Sequence, residues 1–193
     1  MTDPWLTLVG LNEDGLQGLN AAARRALAAD VDAVARLTGT FVLRSGATAS
    51  EYFDKYRFEA DPRLLSRIAA AMVPLVPSDA EVLAGVELGG VPIATAMSLF
   101  NGRPAAFVRK EAKTYGTCLA VEGGDLAGKR VAIIEDVIST GGAVRDAKAR
   151  LDEVGAITVA VVCAVWRADR PPAIEGLDIP VFAALTLADL KPG

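Results

Sequence analysis

Four apolar runs, Val82 to Val86, Ala105 to Arg109, Arg130 to Ile134 and Ile157 to Val165, are separated by stretches long enough to hold a helix or a long loop. That alternation constrains the chain more than any other feature, because strands joined by such crossovers pair in parallel. The last run is rich in valine and free of turn formers, which predicts a strand buried on both faces. Pro92 to Phe100 and Gly142 to Val154 read as helices between strands. The expected class is therefore α/β, a doubly wound parallel sheet flanked by helices.

Ahead of the sheet, Leu16 to Leu37 is alanine-rich, with leucines and valines at helical spacing. It predicts two short helices broken near Asp30, an N-terminal appendage. Phe41 to Ser45 looks extended. Asp61-Pro62 is a helix start, and Arg63 to Val76 recurs at three and four residues as an amphipathic helix does. Lys110 to Lys129 is polar and carries glycines at 116, 123, 124 and 128, so it predicts a loop or lid. Pro171-Pro172 marks a turn before a last short strand near Val181.

With 193 residues the chain fits one compact domain. An apolar fraction of 52% with mixed charge signs excludes a disordered chain. The net charge of -4 offers no general attraction to phosphate backbones, and no local basic patch points to nucleic acid. No apolar run reaches the roughly 18 residues of a membrane span, and the first 30 residues have neither the secretory nor the transit pattern. A cytoplasmic enzyme is the expectation. Cys118 and Cys163 read as structural or incidental. The chain has no histidine, which rules out imidazole-based triads and zinc sites. Its chemistry must run on carboxylates, lysines, arginines, hydroxyls or a metal held by oxygen.

The segment from Val131 to Val144, VAIIEDVISTGGAV, concentrates such groups. An apolar strand delivers Glu135 and Asp136 to the carboxyl edge of the sheet, where open α/β sheets bind ligands. Beyond them, the backbone N–H groups of Val137 to Gly142 and the hydroxyls of Ser139 and Thr140 can surround a phosphate at the start of a helix. A plain strand, turn and helix with capping acids would explain Gly141-Gly142 alone; adjacent acids before a hydroxyl-and-glycine loop are rarer. No lysine follows the glycines, unlike a P-loop.

This string resembles the motif by which type I phosphoribosyltransferases bind 5-phosphoribosyl 1-pyrophosphate (PRPP). The resemblance implies the fold of that family, a central parallel sheet flanked by helices with a small N-terminal hood. Residues 1–60 would form the N-terminal helices and hood segment, and 61–193 the PRPP-binding core. It further implies that Glu135 and Asp136 hold ribose hydroxyls, that Val137, Ile138, Ser139, Thr140, Gly141 and Gly142 envelop the 5-phosphate, and that Mg2+ bridges pyrophosphate and ribose oxygens. Magnesium prefers oxygen ligands and retains waters, so it would be held mainly by PRPP and water, and no residue is assigned as its direct ligand.

Further segments are similar to orotate phosphoribosyltransferases. FVLRSG from Phe41, followed by SEYFD from Ser50, resembles their N-terminal signature, with Arg44 in the place of a basic residue near acceptor and pyrophosphate. RKEAKTYG from Arg109 resembles their basic loop, which reaches across a dimer into the neighbouring active site. By this resemblance Lys113 is the principal loop catalyst, with Arg109 and Lys110 on pyrophosphate oxygens and Asp136 also in the catalytic set. Fixed cations suit a departing pyrophosphate, one such group contributing about 3 kcal/mol; taken alone the cluster also fits a solvated charged face. Arg167, after the buried strand, aligns with the arginine that reads the acceptor, although an exposed strand-end arginine is the rival reading. Gly89 and Gly90, in GVELGGVP, match the pyrophosphate loop, where a structural turn is the alternative. Tyr115 stands where these enzymes have a histidine, Gly89 where they often have a lysine, and Trp166 where an aspartate is common. The expected activity is transfer of ribose 5-phosphate from PRPP to orotate in a homodimer. A purine or other base as acceptor, or a non-catalytic PRPP-sensing regulator, are the alternatives.

Overall fold

The computed structural model describes residues 19–42, 46–111 and 119–190. In chain order the elements are α1 (Ala21–Ala35), β1 (Arg36–Val42), β2 (Thr48–Phe53), α2 (Lys55–Ala60), α3 (Pro62–Met72), β3 (Val82–Val86), α4 (Gly90–Asn101), β4 (Ala105–Val108), β5 (Val121–Glu122), β6 (Arg130–Ile138), α5 (Gly142–Glu153), β7 (Ile157–Trp166), β8 (Val181–Thr186) and α6 (Leu187–Leu190). Six strands form one sheet in the order β5-β4-β3-β6-β7-β8. Every pairing in it is parallel except β4 with the two-residue β5. The α/β class with a mostly parallel sheet is as the sequence predicts.

Both faces of the sheet are covered. Ala132, Ile134, Val162 and Ala164 pack one face against Leu27 and Val31 of α1, Ile68 and Met72 of α3, and Ile93 and Met97 of α4. Val131, Ile133, Val161 and Cys163 pack the other against Val144, Ala147 and Leu151 of α5. Successive residues of a strand project to opposite faces, which is why the central strands read as unbroken apolar runs. The run from Ile157 is not buried throughout: Ile157 itself is 48% exposed, because β7 begins at the sheet's rim before burial sets in at Ala160.

The segment around Asp30 departs from expectation. It lies in the single helix α1, with residues 16–18 outside the described residues. Asp30 is exposed and pairs with Arg67 of α3 at 2.6 Å, so an acid off the apolar stripe of Leu27, Ala28, Val31 and Ala35 does not interrupt the helix. Asn20 caps it, its side chain accepting from Ala23 N–H at 2.9 Å. Helix α3 starts as read: Asp61 accepts from the N–H groups of Arg63 and Leu64 at 2.8 and 3.1 Å, with Pro62 at the first position. It ends at Met72 and passes into a 3-10 turn, Val73–Leu75, around Pro74.

Ahead of the main sheet, β1 and β2 form an antiparallel pair within the segment expected to be a hood. Only Phe41 and Val42 of the predicted extended segment are described, and both lie in β1. Arg36 fastens the pair to α1, meeting Asp32 at 2.7 Å and Glu51 at 2.6 Å. No helix of the described residues is long and apolar enough to cross a membrane.

Candidate functional site

The chain reverses direction across the sheet between β3 and β6: from β3 it goes to β4 on one side, and β6 returns to the other. Such a switch point opens a crevice beyond the carboxyl ends of the two strands. The loops leaving β3 and β6 therefore carry the groups most able to hold a ligand, and they are GVELGG and EDVISTGG.

Beyond β6, a pocket of about 200 Å³ is lined by Glu135, Val137, Ile138, Ser139, Thr140, Gly141, Gly142, Ala143 and Val144. Six of the predicted phosphate-loop residues are thus brought together with one acid. Ser139 and Thr140 are exposed, leaving their hydroxyls available to an anion. Gly141 takes φ +77°, and a Cβ there would stand 2.6 Å from Cγ2 of Ile174, so only glycine turns the loop into α5 at this point. The first turn of this 12-residue helix, Gly142 to Val144, lines the pocket, so the positive end of the helix dipole lies there. Arg145 braces the loop from outside, donating to the carbonyls of Thr140 and Glu175 at 3.3 and 3.2 Å.

The two acids occupy different surroundings. Strand β6 was expected to stop at Ile134 but continues to Ile138, because β7 pairs with it as far as Trp166. Glu135 lines the pocket, whereas Asp136 follows Ala132 and Ile134 toward the face carrying α1 to α4 and is fully buried there. Its Oδ1 accepts the Val137 N–H and its Oδ2 meets Lys55 Nζ at 2.7 Å. Lys55 and Glu59, one turn apart on α2, reach the acids from the hood side. Neither was singled out from the sequence, and the signal that could have found them was DKYRFE: a capping-type Asp54, then a cation and an acid four residues apart.

Three carboxyl groups share this site with one cation. Burial, then hydrogen bonding to Asp136, pushes Glu59 up to about 8. The same two causes push Glu135 well above the ordinary carboxylate range. Burial acts to raise Asp136 as well, but hydrogen bonds from Glu135 and Glu59 and the Lys55 cation outweigh it and hold Asp136 below its usual value. For Lys55, burial is outweighed by Asp136, which keeps the ammonium charged. The surroundings thus favour charge on Asp136 and Lys55 and disfavour it on Glu135 and Glu59. Glu135 Oε2 is buried without a hydrogen-bond partner among the described residues, and Glu135 lines the pocket. Buried polar atoms are ordinarily satisfied, so this oxygen marks where a hydroxyl-bearing ligand fits.

The glycines after β3 make that closeness possible. A Cβ on Gly89 would lie 1.7 Å from Asp136 Oδ2 and 2.6 Å from Glu59 Oε1, and one on Gly90 would lie 2.3 Å from the Ile134 carbonyl oxygen. Both residues sit directly against β6, Gly89 as the N-cap of α4 and Gly90 as its first residue. In this loop the Glu87–Leu88 peptide bond is cis.

Arg167 follows β7, its N–H donating to the Ile138 carbonyl at 2.8 Å, which ties it to the end of β6. Its guanidinium lies over the Phe53 ring, 5.0 Å from the centroid, and makes no ion pair among the described residues. Arg36, Glu51, Tyr52, Phe53, Arg167, Leu187 and Leu190 line a cleft of about 230 Å³. A cleft that presents an arginine unpaired among the described residues can take an anionic group. Arg109 and Lys110 directly follow β4: the Arg109 N–H donates to the Ala120 carbonyl, the Lys110 N–H to Glu87 Oε2 at 2.7 Å, and the Lys110 carbonyl accepts from Arg150. Their side chains are not drawn into the pocket. Arg44 and Lys113, with Tyr115 and Cys118, lie outside the described residues; Cys163 is a buried free thiol.

Among the described residues no three acids, cysteines or histidines are grouped as a metal cage. A hard cation suits this oxygen-rich crevice when its ligands come mainly from the bound molecule and water.

Residues 56–186 match the phosphoribosyl transferase domain family. The chain is 59% identical over 168 residues to the orotate phosphoribosyltransferase of Nocardioides sp., covering 85% of this chain and 92% of that one. It superposes on Mycobacterium tuberculosis orotate phosphoribosyltransferase in complex with Fe(III) dicitrate with a TM-score of 0.78 and 34% identity, covering 88% of this chain and 99% of that one. The same enzyme in complex with PRPP gives a TM-score of 0.73 at 31% identity, covering 87% and 98%.

Proposed function

This chain belongs to the phosphoribosyl transferase family, and from that premise we infer that it transfers ribose 5-phosphate from PRPP to orotate, giving orotidine 5'-monophosphate and pyrophosphate. The observation that carries the reading is the pairing of two sites at the ends of β6 and β7. One is a loop that offers amides, hydroxyls and an unsatisfied carboxyl to a phosphorylated sugar. The other is a cleft with Arg167 over Phe53 for a flat anion.

In the reaction the bond from ribose C1 to the pyrophosphate oxygen breaks and a bond from C1 to the acceptor nitrogen forms. Pyrophosphate takes the bonding pair, and the acceptor nitrogen gives up its proton to solvent. Val137 to Gly142 hold the 5-phosphate through amides and the Ser139 and Thr140 hydroxyls. Glu135 and Asp136 accept from or donate to the ribose hydroxyls, fixing C1 between leaving group and acceptor. Gly89 and Gly90 allow the pyrophosphate to approach the backbone. Arg109, Lys110 and Lys113, with Arg44, meet the charge that grows on pyrophosphate as the bond breaks. Lys113 is the principal catalyst among them and reaches the site of a neighbouring subunit in a homodimer. Arg167 pairs with acceptor oxygens. Mg2+, if bound, would be held mainly by oxygens of PRPP and water and would supply charge neutralisation to the pyrophosphate. Residues 1–60 serve as hood and 61–193 as the PRPP-binding core. The enzyme works in the cytoplasm.

The test is product formation from PRPP and magnesium with orotate, uracil, adenine or hypoxanthine as acceptor. Turnover with orotate alone is expected. Turnover of a purine with none of orotate overturns the acceptor assignment, and no turnover of any base together with salt-dependent binding of DNA or RNA leaves a regulator.

A further inference from the structure

We propose that Lys55 is a positioning residue for this reaction: its ammonium, reaching from α2, holds the buried Asp136 carboxylate in place at the end of β6. The proposal rests on the transferase reading above and deepens it.

The geometry is specific. Asp136 has no exposed surface, and its two oxygens are fixed separately, Oδ1 by the Val137 N–H and Oδ2 by Lys55 Nζ at 2.7 Å. Lys55 comes from the hood, whereas Asp136 belongs to the sheet, so the contact also ties the acceptor-side segment SEYFD to the ribose-side acids. Phe58, buried on the same short helix, and Phe53, 6.3 Å from it, anchor α2 so that Lys55 and Glu59 are presented together. Gly89 closes the remaining side, since no other side chain fits against Asp136 Oδ2.

The charge balance shows why one cation matters. A buried carboxylate without a partner takes up a proton instead of keeping its charge. Around Asp136 stand Glu135 from its own strand, Glu59 and Lys55 from α2, and the Cys163 thiol of β7, with Asp54 acting on Glu59 and Tyr56 on Lys55. Lys55 is the one positive group in that set. With it present, Asp136 is held low and Glu59 and Glu135 are pushed high. Without it, the proton now on a glutamate can pass to Asp136, and the acid loses its acceptor role toward a ribose hydroxyl. Nothing in this scheme requires Lys55 to touch the reacting atoms. Its side chain is 32% accessible, so substituting it leaves the core intact.

The experiment compares Lys55→Met, Lys55→Arg and Lys55→Met/Glu59→Gln with the wild type. It follows kcat and KM for PRPP between pH 5.5 and pH 9, with thermal melting of each variant. Lys55→Met is expected to raise KM for PRPP by roughly ten- to hundredfold, the usual weight of a hydrogen bond to a charged group. It should leave kcat less affected and move the acidic limb of the kcat/KM profile to higher pH, because Asp136 then titrates at a raised value. Lys55→Arg should restore the limb, and the double variant, with one competing acid gone, should lie between. A Lys55→Met profile superposable on the wild type in both limb and KM overturns the proposal. So does an equal loss for Arg and Met, which marks a packing role. Absence of orotate turnover by the wild type would instead strike the functional reading, so the two failures are distinguishable.

Discussion

Gly89→Ala isolates the closeness on which the site depends. The backbone there has φ -69° and ψ -28°, which alanine adopts freely. On conformational grounds the substitution would stabilise by about 0.4–1 kcal/mol through the unfolded chain. Sterics reverse the sign. The new Cβ would stand 1.7 Å from Asp136 Oδ2, 2.5 Å from Asp136 Cγ and 2.6 Å from Glu59 Oε1. The carboxylate cannot move aside without leaving Lys55, the Val137 N–H, or both. Overpacking costs about 1–3 kcal/mol and a lost hydrogen bond to a charged group about 1.5–3 kcal/mol. Less the conformational gain, the net destabilisation is about 3 kcal/mol. For a chain of this size that lowers Tm by about 6–12 °C. Differential scanning calorimetry measures it, and initial rates at varied PRPP should show KM raised tenfold or more. Gly142→Ala is the control: its Cβ would have nothing nearer than 3.9 Å, so that variant should melt at or above the wild type. A Gly89→Ala protein that melts within about 2 °C of the wild type and keeps its KM for PRPP would refute the packing of Asp136 against this loop.

Other consequences follow from the same structure. Glu59 keeps its proton in the fold up to about pH 8 but loses it near the ordinary carboxylate value when unfolded, so stability declines as pH rises between those values. Urea midpoints should fall from pH 6 to pH 8, and Glu59→Gln should flatten that slope; an unchanged slope would contradict a protonated Glu59. Arg167→Ala should raise KM for orotate by roughly ten- to hundredfold while leaving KM for PRPP within about twofold, a split readable from a two-substrate kinetic matrix. Asp61→Ala removes the acceptor for the N–H groups of Arg63 and Leu64 and should cost about 1 kcal/mol, lowering Tm by about 2–4 °C. Lys113→Ala should reduce kcat far more than it weakens PRPP binding, as single-turnover rates and PRPP titration would show.

The sheet was legible because burial on both faces writes strands as continuous apolar runs, as in Val131 to Ile134 and Ala160 to Val165. The phosphate loop was legible for a local reason: a strand, acids, hydroxyls and glycines follow one another within 14 residues. What the sequence did not disclose depends on partners far along the chain. Asp30 looked like a helix breaker because Arg67, 37 residues away, is invisible locally. The last turn of β6 extends past Ile134 because β7 continues alongside it. Lys55 and Glu59 escaped notice because a six-residue helix leaves little periodicity, and their importance arises only where α2 meets β6. Gly89 was read as room for pyrophosphate, whereas its missing side chain also makes room for Asp136 itself.

The central claim is that the acids ending β6 and the loop after them hold a phosphorylated ribose. Titration calorimetry of PRPP with magnesium into the wild type, set beside Asp136→Asn and Ser139→Ala/Thr140→Ala, tests it most directly. The account predicts saturable heat for the wild type and affinity at least tenfold weaker in both variants, with the fold retained by circular dichroism. Equal affinity in all three proteins, or no heat in the wild type, would contradict it.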